Sequence, residues 1–266
     1  MAGHKRCSGL NLRNLLVRIK EYSRYELKYI LNQAQYTALA DVLTDYMALD
    51  AHGDDQGRYP ITSLYYDTYD YQAYWDKVEG HKFRRKVRLR VYGNTVVEPD
   101  TPCFVEIKQR INKTLQKKRV VLPYETATAL CGAGEEVQAE LSETDQAVVS
   151  EVRYLQATLQ LQPACVVRYD RLAFEGGDYD PGLRVTFDTN LKGRVHQLSL
   201  LNKEYADNYY FVPPGWCVME VKVNYRVPYW LTELIARHSC TLRRMSKYCT
   251  ALEQCKDILQ RQRILV

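Results

Sequence analysis

The chain has 266 residues, of which 46% are hydrophobic, and a formal net charge of +5 at pH 7. This length and hydrophobic content predict a folded chain with a sizeable core and exclude disorder as the default state. The modest net charge argues against a surface that is basic all over for binding nucleic acid, so any basic site is expected to be local.

The first segments of the chain alternate between strand and helix patterns. RYELKYIL, residues 24–31, predicts a strand that carries Glu26 and Lys28 on one face. The next 16 residues, NQAQYTALADVLTDYM, predict a helix over 32–47 with Asn32 as its N-cap. Two further elements follow, a strand over 61–68 and a short helix over 69–80.

The segment RRKVRLRVYG, residues 84–93, predicts a strand with an unusual charge pattern. Its alternate positions all carry cations that point the same way: Arg84, Lys86, Arg88 and Arg90. Neighbours two residues apart on a strand lie roughly 7 Å from each other, and each such like-charge pair costs on the order of 2 kcal/mol at an effective dielectric of about 20. The pattern therefore predicts an anion facing this strand.

The remaining elements repeat the alternation of charged and aliphatic positions. The sequence predicts strands over 103–111, 113–123, 164–175, 183–195 and 217–225. It predicts helices within 124–160, with a break at 131–136 and one helix from about 143 to 159, and then over 227–239 and 246–260.

Recurrence of this pattern decides the fold prediction. A solvated face explains any one charged strand, but at least six strands here carry bases between aliphatic residues, often with a carboxylate on the same face, as Glu106 with Lys108 and Arg184 with Asp188. The helices can cover the aliphatic faces from outside, so that the charged faces point into a closed barrel. We therefore expect an α+β fold with an eight-stranded antiparallel tunnel barrel, which has room for one long, thin and highly charged anion.

Cysteine usage and hydropathy indicate the compartment. The eight cysteines contain no Cys-x-x-Cys pair, which favours reduced thiols over a zinc ribbon or a dithiol redox centre. Apolar runs do not approach the roughly 20 residues of a membrane span, and the start of the chain lacks the apolar stretch of a signal peptide. The chain is expected to be soluble and cytoplasmic, with an N-terminal extension over 1–21 and one tunnel domain over 22–260.

Several ordered motifs resemble the triphosphate tunnel metalloenzymes (CYTH-like), and among them the polyphosphate polymerase domain of the vacuolar transporter chaperone (VTC) type. The resemblance covers roughly residues 22–259. The motifs, in chain order, are ELKY at 26–29, YYDT at 65–68, RLR at 88–90, EIK at 106–108, KKR at 117–119, RYDRLAF at 168–174, MEVK at 219–222 and SKY at 246–248.

This resemblance implies an ATP-dependent polyphosphate polymerase with Mn²⁺ or Mg²⁺ as cofactor, held by Glu220. Its partners would be ATP and inorganic polyphosphate or triphosphate, and membrane-coupled export would need a separate membrane partner. The implied catalytic residues are Lys28, Arg88, Arg90, Lys108, Lys118, Arg171 and Glu220. The implied substrate contacts are Glu26, Arg84, Lys86, Tyr169, Arg184, Lys222, Ser246 and Lys247.

Two other functions stay open on the sequence. The wider family begins with two glutamates and a lysine at alternate positions, whereas this chain has Arg24, Glu26 and Lys28; this favours the polymerase branch, but the same tunnel also suits an inorganic triphosphatase or nucleoside triphosphatase. A non-catalytic polyphosphate-binding module is the third possibility. Binding of nucleic acid is not expected, because most tyrosines near the bases fall at helical core spacing.

Overall fold

The computed structural model describes residues 25–93, 96–112, 114–201 and 209–255. Its strands are β1 (Tyr25–Asn32), β2 (Ala48–Leu49), β3 (Arg58–Asp67), β4 (Phe83–Tyr92), β5 (Pro102–Ile111), β6 (Thr114–Pro123), β7 (Gln162–Glu175), β8 (Arg184–Arg194), β9 (Tyr209–Tyr210), β10 (Trp216–Val223) and β11 (Thr241–Leu242). Its helices are α1 (Gln33–Leu43), α2 (Gln72–Val78), α3 (Tyr124–Ala133), α4 (Glu143–Leu159), α5 (Tyr229–Arg237) and α6 (Lys247–Cys255). The expected extension over 1–21 and the expected end of the last helix after residue 255 lie outside the described residues.

The strands form one antiparallel sheet. Its order is β11-β1-β10-β8-β7-β3-β4-β5-β6, with β2 added to β7 and β9 added to β8. Eight of these strands have 8 to 14 residues, whereas β2, β9 and β11 have two residues each. The predicted α+β fold with eight principal antiparallel strands is therefore confirmed.

The sheet curls but, over the described residues, does not close by backbone hydrogen bonds. Its edges are β6 on one side and β11 with β1 on the other, which differs from the closed barrel expected from the sequence. Side chains bridge the interior instead, because Lys108 on β5 places its Nζ 3.0 Å from Glu26 Oε2 on β1. We call the interior that faces the inner side of the curled sheet the tunnel.

Helices cover the outer face of the sheet in two apolar layers. Helices α3 and α4 pack on strands β3 to β6, where Leu89 and Val152 are fully buried. Helices α1 and α5 pack on β1, β8 and β10 around Leu39, Val221 and Leu231. These layers bury the aliphatic half of each alternating strand and leave the charged half on the inner face.

Helix α6 packs on the inner side of the sheet. The Tyr248 ring stacks on Tyr65 with centroids 5.0 Å apart, and Lys86 Nζ lies 4.7 Å from the centre of the Tyr248 ring. We call this the α6 end of the tunnel. Strands β3 and β4 run from these residues to Tyr59 and Tyr92 at the opposite end, which we call the far end.

Polar side chains cap α1, at the predicted Asn32, and also α4. Asn32 caps α1 in a capping box with Gln35, and Ser142 caps α4 by accepting a hydrogen bond from the Asp145 backbone N–H. The C-terminus of α1 was placed too late, since the helix ends at Leu43 and a turn follows.

Two further expectations concern thiols and membranes. The seven cysteines within the described ranges are all free, and burial raises the pKa of the Cys103 and Cys217 thiols to about 12. Among the helices of the described part of the chain, none has the length and apolar character needed to cross a bilayer.

Candidate functional site

Charged side chains from seven strands and from α6 meet on the inner face of the sheet. The cations are Lys28 (β1), Lys222 (β10), Arg184 (β8), Arg171 (β7), Arg88 and Arg90 (β4), Lys108 (β5), Lys117 (β6) and Lys247 (α6). Four carboxylates lie among them, on Glu26, Glu106, Asp188 and Glu220. We call these residues together the tunnel cluster.

Glu220 lies at the centre of the lysines of the tunnel cluster and is 4% exposed. Its Oε1 is 2.6 Å from Lys247 Nζ and 3.1 Å from Lys28 Nζ, and its Oε2 is 2.9 Å from Lys222 Nζ. Burial alone would raise the pKa of Glu220, but the three ammonium groups and Arg171 hold it well below its usual range. The carboxylate is therefore ionised and keeps several cations in place.

Asp188 holds the next group of cations. Arg171 donates to it in a bidentate pair, with Nε 2.7 Å from Oδ1 and Nη2 2.8 Å from Oδ2. Lys247 Nζ, which also contacts Glu220, lies 2.6 Å from Asp188 Oδ2. Asp188 was not among the predicted site residues, although the alternation of the β8 segment places it on the charged face with Arg184.

Glu106 is the anion that faces the four-cation strand in the free protein. Its carboxylate is fully buried, accepts hydrogen bonds from Arg88 Nε at 2.7 Å and Lys117 Nζ at 3.1 Å, and lies 3.9 Å from Arg90 Nη1. Burial would raise the pKa of Glu106, but these cations lower it far more. The repulsion between Arg88 and Arg90 is thus offset by Glu106 inside the protein, so removal of Arg88 is not expected to stabilise the fold.

The structure divides the four predicted cations of β4 between two places. Arg88 and Arg90 belong to the tunnel cluster, whereas Lys86 donates from Nζ to Ser246 Oγ at 3.1 Å and lies 3.2 Å from Cys249 Sγ on α6. Arg84 lies two residues further toward the α6 end. It faces another cation, Arg110, across the β4–β5 pair.

Tyrosines hold the guanidinium groups of the tunnel cluster. Arg90 donates from Nη2 to the Tyr169 hydroxyl at 3.3 Å, and Arg88 donates from Nη1 to the Tyr65 hydroxyl at 2.9 Å. Lys247 Nζ also lies 4.9 Å from the centre of the Tyr169 ring. Tyr169 therefore lies beside the basic residues, where the resemblance implied it.

Arg184 lies at the far end, in a group that the sequence analysis did not identify. It contacts the carboxylates of Asp50 and Glu175 and donates from Nη2 to the Tyr59 hydroxyl at 3.0 Å. Burial would raise the pKa of Asp50, but hydrogen bonds from the backbone and ring of His52, from Tyr59 and from Arg184 lower it to about 2. Asp50 thus fixes the position of Arg184.

The lowered pKa of Asp50 makes the stability of the fold depend on pH in the acid range. The folded-state pKa of Asp50 is lower than its unfolded value of 3.8, so its stabilisation is present above pH 3.8 and is lost as the pH falls through about 2. We expect Asp50→Asn to lower the free energy of unfolding by at most about 2 kcal/mol near neutral pH, with a difference from wild type that shrinks as the pH approaches 2. Urea unfolding at several pH values tests this, and a difference that stays constant with pH would contradict it.

Lys118 was predicted in the tunnel, and this was wrong. The β5–β6 register pairs Lys118 with Ile107, which faces the outer apolar layer, and Lys118 Nζ lies 2.6 Å from Glu151 Oε2 on α4. Its neighbour Lys117 is the lysine on the inner face and pairs with Glu106. Because side chains alternate along a strand, an error of one residue within the run KKR moved the assignment to the other face.

The neighbouring lysines form a matched pair for experiment. We expect Lys117→Ala to weaken binding of inorganic triphosphate roughly ten- to hundredfold, since a charge-assisted hydrogen bond contributes about 1.5–3 kcal/mol. Lys118→Ala removes the same side chain from the outer face and should leave the affinity unchanged. Calorimetric titration of both variants measures the difference, and equal losses would show that the strand register is not the one described.

A divalent metal fits this site only together with the phosphates of a substrate. Within the described ranges, no group of three or more His, Cys, Asp or Glu side chains could hold a metal ion. Lys28 Nζ, however, lies 3.1 Å from Glu220 Oε1 and 3.6 Å from Glu26 Oε1, so two carboxylates face one cationic position. Mg²⁺ is commonly held by one or two carboxylates plus substrate phosphates, and this donor set suits that mode.

The remaining predicted contact, Ser246, precedes α6 and accepts a hydrogen bond from the Cys249 backbone N–H at 3.4 Å as well as the one from Lys86. Lys247, the first residue of α6, is 7% exposed and belongs to the tunnel cluster. A phosphate contact at Ser246 stays a prediction.

Comparison with known proteins places the chain in a family. The model of the VTC domain family matches residues 23–256, which include all of the described strands and helices. No curated protein matches the sequence.

Several solved structures are similar to the chain at low identity. HpAC1 from Hippeastrum, described as a candidate adenylyl cyclase with a dominant triphosphatase activity, is 11% identical with a TM-score of 0.49 over 88% of this chain and 96% of that chain. A candidate adenylate cyclase from Bacillus halodurans is 12% identical with a TM-score of 0.48, over 84% and 94% of the two chains. The protein PH1819 from Pyrococcus horikoshii is 11% identical with a TM-score of 0.44, over 87% and 99%.

Proposed function

The chain belongs to the VTC domain family, and we propose that it transfers the terminal phosphoryl group of ATP to a polyphosphate chain inside the tunnel. One observation carries this proposal. Cations from seven strands and α6 converge on one enclosed face, and buried carboxylates hold them in position. A linear polyanion is the ligand whose shape and charge match such a lining.

The tunnel cluster would act by positioning and by neutralising charge. Arg88, Arg90 and Arg171 present planar guanidinium groups suited to phosphoryl oxygens, and their tyrosine and carboxylate partners fix these groups before the substrate arrives. Lys28 and Lys247 supply movable point charges beside them. The acceptor phosphate is already an anion, so no side-chain nucleophile is required for the transfer.

The carboxylates have a second role in the proposal. Glu220, with Glu26 beside it, would hold Mn²⁺ or Mg²⁺ against the phosphates, where the ion would neutralise charge on the transferred group. Since Lys28 already lies between these two carboxylates, its ammonium group would move toward the phosphates when the metal and substrate bind.

A product assay tests the proposal. The purified protein is incubated with ATP and Mn²⁺, and the products are separated on a gel that resolves polyphosphate from free phosphate. We expect polyphosphate chains longer than the triphosphate of ATP to accumulate. Glu220→Gln serves as the matched inactive control. A parallel incubation with inorganic triphosphate measures release of phosphate without a nucleotide.

The three possible outcomes are distinct. Accumulation of polyphosphate from ATP supports the proposal. Release of free phosphate alone identifies a triphosphatase and overturns the transfer step. Binding of triphosphate without turnover in either incubation identifies a binding module and overturns catalysis altogether.

A further inference from the structure

A partly exposed aromatic surface lies at the far end of the tunnel. Tyr92 on β4 and Phe104 on β5 pack edge to face with centroids 5.2 Å apart, and Val121 on β6 lies opposite Phe104 in the sheet. Tyr92 is 37% exposed and Val121 is 48% exposed. We call Tyr92, Phe104 and Val121 the aromatic rim.

The aromatic rim is continuous with the tunnel cluster. Tyr92 follows Arg90 by two residues on β4, a spacing of about 7 Å along the strand, and the Arg90 guanidinium lies 5.8 Å from the Tyr92 ring centre. Arg119, which is exposed and pairs with Glu106 across the β5–β6 ladder, lies 5.1 Å from the Phe104 ring centre. Each ring of the rim thus contacts a guanidinium group, and the rim begins two residues beyond Arg90 on β4.

The fold leaves both rings of the rim only partly covered, since Tyr92 is exposed and Phe104 is half-buried. The outer apolar layers bury their aliphatic residues almost completely, whereas the rim leaves apolar surface beside the most strongly charged part of the molecule. A chain of phosphates has no apolar face that could cover the apolar surface of the rim. A ligand that joins a polyphosphate to a planar aromatic group would cover both surfaces at once.

We propose that the aromatic rim binds the base of a nucleoside triphosphate whose phosphates lie in the tunnel. This inference rests on the proposed function in one respect, that phosphates occupy the tunnel cluster. Stacking on an aromatic ring is tolerant of the base, because every base has a π face. The rim therefore selects nucleotides over inorganic triphosphate without selecting one nucleotide, and ATP and GTP are expected to bind alike.

Paired substitutions at the rim test the inference. Phe104→Ala and Tyr92→Leu remove a ring, while Phe104→Tyr and Tyr92→Phe keep one. Calorimetry measures the dissociation constants of ATP, GTP and inorganic triphosphate for each variant. Loss of stacking on one base is expected to weaken ATP and GTP binding roughly five- to a hundredfold, whereas inorganic triphosphate should change by less than about twofold.

The matched control is Tyr229→Ala, which removes a ring that is 82% exposed at the start of α5 on the outer face. It should alter no affinity. The two sites, Phe104 and Tyr92, give independent readings if one variant folds poorly, and the ring-retaining variants should bind nucleotides as the wild type does.

The outcomes separate this inference from the proposed function. Losses of equal size for ATP and inorganic triphosphate, or no loss for ATP, overturn base binding at the rim while leaving the tunnel as a phosphate site. Failure of the wild type to bind inorganic triphosphate overturns the proposed function instead. A preference for nucleotides over inorganic triphosphate that disappears only when a ring is removed supports base binding at the rim.

Discussion

Replacement of Glu220 by glutamine is expected to lower phosphoryl turnover on the order of 10³-fold while triphosphate binding persists. The amide keeps the shape of the side chain but loses the charge. In the proposed function that charge holds the divalent ion against the phosphates, and in the free protein it anchors Lys28, Lys222 and Lys247. The substitution therefore removes both the ligand of the divalent ion and the anchor of the three lysines beside the phosphates.

Binding should persist because the arginines of the tunnel have other anchors. Arg88 is held by Glu106 and Arg171 by Asp188, neither of which changes in this variant. The three lysines that Glu220 anchors lose part of their anionic partner and become freer to contact phosphate. Inorganic triphosphate is therefore expected to bind at least as tightly as it does to the wild type.

Measurement of turnover and affinity on the same variant decides the matter. Glu151→Gln is the matched control, since Glu151 pairs with Lys118 on the outer face at 2.6 Å and its loss should affect neither quantity. Unchanged turnover of Glu220→Gln at saturating Mn²⁺ would remove Glu220 from the reacting centre. It would also remove the main reason for expecting catalysis from this tunnel.

The sequence predicted the strands and the charged face well because both depend on local alternation. The pattern of the β4 segment placed Arg88 and Arg90 on one face, and the structure has them there beside Tyr65 and Tyr169. The same reasoning failed at Lys117 and Lys118, where consecutive lysines make the two faces look alike and only the register with β5 distinguishes them.

Partners that lie on other strands or helices could not be predicted from alternation within one strand. Glu106 meets Arg88 because β4 pairs with β5, and Lys247 meets Glu220 because α6 enters the α6 end of the tunnel. Such contacts join residues that are 18 and 27 positions apart. The open edge between β6 and β1 and the aromatic rim likewise depend on how far the sheet curls, which no local pattern encodes.

The ion pairs inside the tunnel also set its stability, and Asp188→Asn tests this. Asp188 is fully buried between Arg171 and Lys247. Removing one partner of a buried ion pair leaves an uncompensated charge and typically destabilises a protein by about 3–5 kcal/mol. Because Glu220 still contacts both cations, we expect a loss at the lower end, about 3 kcal/mol in the free energy of unfolding.

The same variant should respond more strongly to ligand than the wild type. Inorganic triphosphate would supply the anion that Arg171 and Lys247 have lost, so it should restore a larger part of the unfolding free energy in Asp188→Asn. Chemical denaturation with and without triphosphate measures this. Asp170→Asn serves as the control, because the Asp170 side chain lies on the outer face, where its Oδ2 accepts a 2.8 Å hydrogen bond from the exposed Asn190. A variant as stable as the wild type, or one that triphosphate stabilises no further, would show that the carboxylate does not hold these cations for the phosphates. A large loss that triphosphate reverses would instead show that the buried carboxylates occupy, in the free protein, the positions that the phosphates of the ligand take over.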